Sequence, residues 1–334
     1  MHPEVWSSFL LFVVNLFFFI YYFNTNILSL NRAAHLLSSP TGLEAAKDSY
    51  SQDSWIENEN IKLISKHVPK HLKPASKDQF GYYLAGLIDG DGWFSKYAAY
   101  IVFYALDASL AYYIKSQIGY GSVTRVKSKN AYLLTITKRE GLQILLNLIN
   151  GKLRTQSKCD AVYKNILNVY GEPLHLKEKF SIDTSEDLDN HWLAGFIDAN
   201  GSFQVKCLER AKPSGGTRFE IRLNMQLDQK TRVFLDLIKD KFGGNIGYRK
   251  SQDTFYYSST SFGSAKKVIK YLDKYHMLSS KYINFLRWRK VYQLIQEKKH
   301  LTPKGQARII KIKYSMNSFS KEPLDLDSSA YLKV

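Results

Sequence analysis

Apolar and polar positions along the chain follow an order that occurs twice. An apolar block at 83–88 ("YLAGLI") runs into polar letters and ends at Gly92, and a second at 192–197 ("WLAGFI") does the same at Gly201. A short apolar run closed by glycine predicts a helix whose C-terminal glycine takes positive φ. Beyond the second block, "FEIRLNMQL" alternates strictly, with Phe219, Ile221, Leu223, Met225 and Leu227 set against Glu220, Arg222, Asn224 and Gln226. A period of two predicts a strand with one core face and one polar face. Each half then offers a helical stretch ("SLAYYIKSQIG" from Ser109, "KTRVFLDLIKDKFGG" from Lys230), a hairpin segment ("YGSVTRVKSKNAYLLTIT", "GGNIGYRKSQDTFYYSSTSF") and two more helices, at 140–149 and 158–170 and at 264–276 and 281–296. This order predicts an α+β fold of two pseudo-symmetric αββαββα halves with antiparallel sheets.

The two blocks start at Leu84 and Leu193, a spacing far longer than any solenoid repeat, so the pattern is that of a duplicated domain. The chain divides into a hydrophobic segment at 1–30, a polar linker at 31–77, a first domain at 78–175, a second at 186–316 and a tail at 317–334. Small residues share one face of each block, Gly86 with Gly90 and Gly195 with Ala199, each pair four apart. Glycine inside a helix costs about 0.5–1 kcal/mol relative to alanine, and close backbone contact is the usual compensation. Packing the two helices on each other would bring Asp91 and Asn200 side by side.

Charge narrows the partners. Lys and Arg number 47 against 30 Asp and Glu, a net +17, and such a field attracts polyanions, nucleic acid first and an anionic membrane surface second. The two cysteines, Cys159 and Cys207, exclude a disulfide scaffold or a Cys-based zinc site. His67 and His71 lie four apart with Pro69 between them and no third ligand in view. Residues 6–23 are almost wholly apolar, borderline for a membrane span and a candidate for membrane contact, without the cationic flank of a signal peptide or the Arg content of a transit peptide.

The paired motifs themselves, "LAGLIDGDG" (84–92) and "LAGFIDANG" (193–201), resemble those of single-chain LAGLIDADG homing endonucleases and intron-encoded maturases. The likeness spans roughly residues 80–316. It implies a monomer whose two sheets form a saddle over the major groove of double-stranded DNA, cutting with a divalent metal, Mg2+. The eighth motif position supplies the metal-binding acid in that family, which here falls on Asp91 and Asn200, with the Gly90 and Ala199 carbonyls as weaker contacts. A Gln or acid closing a strand and a Lys opening the last helix would be Asp107 with Gln229, and Lys158 with Lys281; the spacings, 51 and 52 residues, agree within one. Arg222, Asn224 and Gln226 are the types that read guanine and adenine edges. Lys212 and Arg218 fall in a longer, basic first hairpin of the second half, and Arg125, Lys127, Arg249 and Lys250 in the second hairpins, as further DNA contacts.

Asn200 departs from the family pattern. Its amide brings no charge, and metal affinity tracks ligand charge. Three readings stay open: a lopsided enzyme that nicks, a maturase that binds intron RNA to assist splicing without cutting, or a nuclease whose other ligands compensate. A membrane-anchored structural protein rests on residues 6–23 alone. The tetrapeptide "HPEV" at 2–5 resembles a stretch of cytochrome oxidase subunit one, a frequent intron host, which implies an organelle-encoded, mitochondrial protein, while membrane association would rest on residues 6–23.

Residues 1–30 hold no Lys or Arg, so their removal is expected to leave duplex affinity in a gel-shift titration unchanged within about twofold, whereas a polyanion groove depends on cations.

Overall fold

A computed structural model describes residues 63–318 apart from 128, 171–175, 177–178 and 212–214. The described residues form one compact unit. The first half contains α1 (Lys77–Asp91), β1 (Gly92–Ser95), β2 (Ala98–Tyr104), α2 (Ala108–Ile118), β3 (Ser122–Arg125), β4 (Ala131–Ile136) and α3 (Arg139–Ile149). It closes with a helical run, α4 (Gln156–Val162), extended by a π turn (Tyr163–Leu167). The second half contains α5 (Trp192–Asn200), β5 (Gly201–Ala211), β6 (Thr217–Gln229), α6 (Val233–Phe242), β7 (Asn245–Arg249), β8 (Thr254–Ser258), α7 (Phe262–Leu272), α8 (Lys281–Gln296) and α9 (Pro303–Ser318). Each half carries one antiparallel sheet, ordered β1-β2-β4-β3 and β5-β6-β8-β7. The expected α+β fold is present.

The core lies between the motif helices α1 and α5 and the inner faces of the two sheets. Leu84, Leu87, Ile88, Phe94, Ile101 and Leu134 are buried in the first half, and Leu193, Phe196, Ile197, Phe203, Met225 and Leu227 in the second. α1 starts where Ser76 accepts from the Gln79 amide at 3.1 Å while the Gln79 side chain accepts from Ala75 N at 2.8 Å, a close relative of the capping box. The π turn frees the Asn165 carbonyl, which takes the Tyr97 amide at 3.1 Å, and Asn165 Nδ2 donates to Phe94 O at 3.0 Å. That pins the tip of the β1–β2 hairpin, where Tyr97 sits at φ 62°.

The small faces meet as the spacing implies. A Cβ added at Gly86 would stand 1.8 Å from Trp192 O, and one at Gly195 would stand 2.0 Å from Tyr83 O. Each glycine thus receives the partner helix's backbone at a related level.

Two expectations are corrected. Gly92 and Gly201 end their helices at φ −92° and −81°, extended rather than left-handed. The chain passes straight from helix into strand, and the glycines are required because a Cβ would meet Ile88 Cα at 2.8 Å or Ile197 O at 2.7 Å. The second concerns the linker at 31–77, whose described end is a strap docked on the second half. Ile64 N donates to Gln296 Oε1 at 3.0 Å, Gln293 Nε2 to Ser65 O at 2.6 Å, and Arg289 Nη2 to His67 O at 3.2 Å. His71 Nε2 meets Met277 O at 2.8 Å, and Leu72 N donates to His276 Nδ1 at 2.8 Å. Its polar sequence hides this because the strap is held by backbone groups, which leave no period. The apolar run at 6–23 lies outside the described residues, among which no helix is long and apolar enough to cross a membrane.

Gly86→Ala or Gly195→Ala forces the motif helices apart. We expect a loss of about 3 kcal/mol or more, at or beyond the upper end of core overpacking, measurable as a lowered urea midpoint at unchanged m.

Candidate active site and nucleic-acid interface

The two motif helices end against each other. A Cβ at Gly90 would lie 2.2 Å from Ala199 Cβ and 2.9 Å from Asn200 Nδ2, so the residues after these points, Asp91 and the first strand of each sheet, start from one place. Asp91 and Asn200 are both half-buried. Lys281 Nζ donates to Ala199 O at 2.6 Å, Lys158 Nζ donates to Gly92 O, and Asp107 Oδ1 accepts from Ser280 N at 2.6 Å. Six of the residues expected from the sequence therefore converge, with Gly90 as a seventh: Asp91, Asn200, Ala199, Lys158, Lys281 and Asp107. The Ala199 carbonyl is engaged by an ammonium group. Gln229 does not occupy the strand position equivalent to Asp107. The registers Gly92↔Ile101 and Gly201↔Leu227 set it level with Phe103, while Asp107 N-caps α2 as Arg232 does α6.

Burial raises the Asp91 carboxyl above the usual aspartate range; Lys281 and then Lys158 oppose the shift, and Asp107 adds to it. Burial lowers both lysines, with Asp89 and Asp91 opposing at Lys158 and with Asp91, Asp198 and Asp107 opposing at Lys281. Lys281 belongs to the second half yet faces the first half's acid. Among the described residues no hydrogen bond contributes to the state of Asp91.

The sixth-position acids, Asp89 and Asp198, are the opposite case, buried and saturated. Asp89 accepts from Arg154 N at 2.8 Å, Thr155 N at 3.1 Å and Trp192 Nε1 at 2.8 Å. Asp198 accepts from Tyr83 OH at 2.7 Å, Leu278 N at 2.7 Å, Ser279 N at 3.3 Å and Ser279 Oγ. Each acid thereby clamps the aromatic residue that precedes the LAG of the other motif, Tyr83 within α1 or Trp192 at the start of α5, and the loop that launches the lysine-bearing helix of its own half. Burial raises both carboxyls against these hydrogen bonds. The aromatic before each LAG and the acid within each apolar run were visible signals for this clamp, which the sequence reading did not draw.

Among the described residues no group of three or more His, Cys, Asp or Glu is placed to hold a metal. A hard cation that keeps water and phosphate oxygens in its shell needs only one or two carboxylates. The donor set here, Asp91 with Asp107 nearby and the neutral Asn200, fits that kind of site and no all-protein cage.

The polar face of the second sheet is internally paired. Arg222 Nε bonds Glu220, which also takes Arg210 Nε at 3.3 Å. Gln226 Nε2 donates to Asp228 Oδ2 at 3.0 Å, and Arg249 Nη1 to Asp228 Oδ1 at 2.8 Å. Asn224 is buried, its Oδ1 accepting from Ser258 Oγ at 2.5 Å, so of the three candidate base readers it is the one withdrawn from the surface. Arg218 is exposed on β6, Arg125 ends β3, Lys127 lies in the β3–β4 turn and Lys250 follows β7, all at strand ends; Lys212 lies outside the described residues.

Comparison with known proteins matches this arrangement. A sequence model described as LAGLIDADG endonuclease matches residues 193–292. The chain is 56% identical, over 75% of its length and 76% of the relative's, to an uncharacterized cox1 intron-2 37.2 kDa protein of Schizosaccharomyces pombe. The chain belongs to the LAGLIDADG endonuclease family. It is also 29% identical to the intron-encoded DNA endonuclease aI3 of Saccharomyces cerevisiae, over 73% of this chain and 70% of that one. A shorter match, 28% identical over 59% of this chain and 30% of the relative, is to the intron-encoded RNA maturase bI4 of the same yeast. The fold matches the meganuclease I-SmaMI, solved bound to uncleaveable DNA, with TM-score 0.58 and 24% identity over 71% of this chain and 98% of that one. The LAGLIDADG chain described here thus shares both the motif pair and the sheet architecture of its family.

Tyr83→Phe removes one donor from the buried Asp198. The expected cost is about 1.5–3 kcal/mol, as for hydrogen bonds to charged groups, read by urea unfolding.

Proposed function

We propose that the protein is a metal-dependent DNA endonuclease with one complete acid position, at Asp91, and one weakened position, at Asn200. The observation that carries this reading is the Asp91 carboxylate where the motif helices meet, without a hydrogen bond among the described residues and with Lys158 and Lys281 held beside it through Gly92 O and Ala199 O. Asp91 would hold the metal, Mg2+, with Asn200 offering a neutral oxygen. Bound there, such an ion would supply charge neutralisation at a phosphate and a lowered pKa for a water. The chain's own groups do the rest. Lys158 and Lys281 face the centre with positive charge for the phosphate, and Asp107 holds the start of α8 through Ser280. The Asp89 and Asp198 clamps fix both lysine-bearing helices relative to the helix ends.

The arginines of the second sheet and of the hairpin ends supply contacts to duplex, phosphate from exposed ends and base edges from Arg222 and Gln226. The cox1 intron relative favours expression from a mitochondrial intron. Asn200, with the maturase relative, favours a second reading, in which the same basic surface binds intron RNA and cleavage has decayed.

Incubating the full chain with intronless cox1 DNA and magnesium, with each strand end-labelled, decides between them. Cutting of one strand faster than the other is the expected result, and no cutting of either strand leaves the maturase reading. Asp91→Asn is expected to abolish cleavage while retaining duplex affinity. Asn200→Asp changes charge with almost no change in volume and is expected to raise second-strand cutting, most at low magnesium. Because burial raises the Asp91 carboxyl, protonation competes with metal at a higher pH than for an ordinary aspartate. Single-turnover cleavage should therefore fall on acidification while the pH is still above about 3.9.

A further inference from the structure

The outer faces of the two sheets carry different chemistry at equivalent positions. The register pairs Trp93↔Tyr100 in the first half and Ser202↔Gln226 in the second. On the next ladder, Tyr100↔Thr135 and Val102↔Leu133 correspond to Gln226↔Ser258 and Asp228↔Tyr256. These residues point away from the core, since they alternate with the buried Phe94, Ile101, Phe103, Leu134 and Ile136. Where the second sheet presents Ser202, Gln226, Asp228 and Tyr256, with Arg249 bonded to Asp228, the first presents Trp93, Tyr100, Val102 and Leu133. Its cations stand at the margin instead, as Lys96 in the β1–β2 turn, Arg125 at the end of β3 and Lys127 beyond it, all exposed.

An apolar floor with a cationic margin is an unusual surface to leave half-exposed on a soluble face, and it marks a contact site. The margin fits a phosphate backbone. The floor fits the one apolar group a duplex displays in its major groove, the thymine C5-methyl. Trp93 and Tyr100 are stacked at 5.0 Å and 9°, close to the spacing of neighbouring strands, so the rings stand upright with their edges outward and cover one π-face of each other. Upright edges suit methyl contact better than stacking on unpaired bases, which needs an open π-face.

We infer that the two half-sites are read by different chemistry: the first sheet recognises thymine methyls through Trp93, Tyr100, Val102 and Leu133, while the second reads hydrogen-bonding edges. This rests on the endonuclease reading, because it requires a duplex target. Burying one methyl is worth roughly a fourfold change in affinity.

The full chain is used to enrich a randomised duplex library, and the thymines of the enriched duplexes are then replaced by deoxyuridine on one side of the centre or the other. The expected result is thymine clustered on one side, with roughly fourfold weaker binding per replaced thymine there and less than about twofold on the other. Leu133→Gln should remove this uracil penalty on that side alone, and the near-isosteric Val102→Thr should reduce it in the same direction without endangering the fold. Equal penalties on both sides, no penalty, or a penalty untouched by both variants overturns the inference while leaving a sequence-specific DNA-binding protein. Failure to enrich any duplex, or stronger binding of single-stranded RNA, overturns the endonuclease reading and the inference together.

Discussion

Two carboxylates that do no chemistry organise the rest of the molecule. Asp89 and Asp198 sit deep in the helix pair, where an ionised group is costly unless every lone pair is met. Each is met by an aromatic donor from the opposite helix and by backbone amides of a loop in its own half. One acid therefore fixes two distances at once, that between the halves and that from a lysine-bearing helix to the helix ends. The glycines make the arrangement possible, because only at backbone contact do Trp192 and Tyr83 lie within reach. Had either half used a bulkier face, the clamp and the shared centre would both be lost.

The centre built on this frame is asymmetric in charge while symmetric in position. Both lysines look toward Asp91, directly from Lys158 and across the halves from Lys281. Asp107 adds a second cross-half tie by holding Ser280 at the start of α8. Replacing an acid with Asn200 leaves the scaffold intact, since the eighth position bears none of the buried hydrogen bonds that the sixth carries. That division explains how the motif tolerates a change at its eighth letter: its folding duties lie two residues earlier.

Much of this was legible in the amino-acid sequence, for physical reasons specific to each part. The duplication, the alternation along β6 and the i, i+4 small residues report local periodicity, and local periodicity survives in one dimension. Asn224 shows where that stops, since it has the right parity for the polar face, yet its neighbour Ser258 on β8 draws it into a buried pair. The match of Asp107 with Gln229 failed similarly, because equal spacing to the lysines does not fix strand register. The strap at 63–76 left no periodic trace, being held mainly by backbone groups that every sequence possesses. The clamp was written in the letters, but its meaning depended on contacts about a hundred residues apart.

That strap ties positions separated by more than two hundred residues, Ile64 to Gln296 and Leu72 to His276. Contacts of such sequence separation close late in folding, after most of the entropy of the chain between them has been lost. The loop they secure, around Met277, also supplies Leu278 and Ser279 to Asp198. During synthesis the segment waits undocked until α8 has emerged, and completion of the lysine-bearing loop becomes a terminal event. A half-made chain is thus left without a finished centre, a built-in delay between the making of the sheets and the closing of the loop before α8.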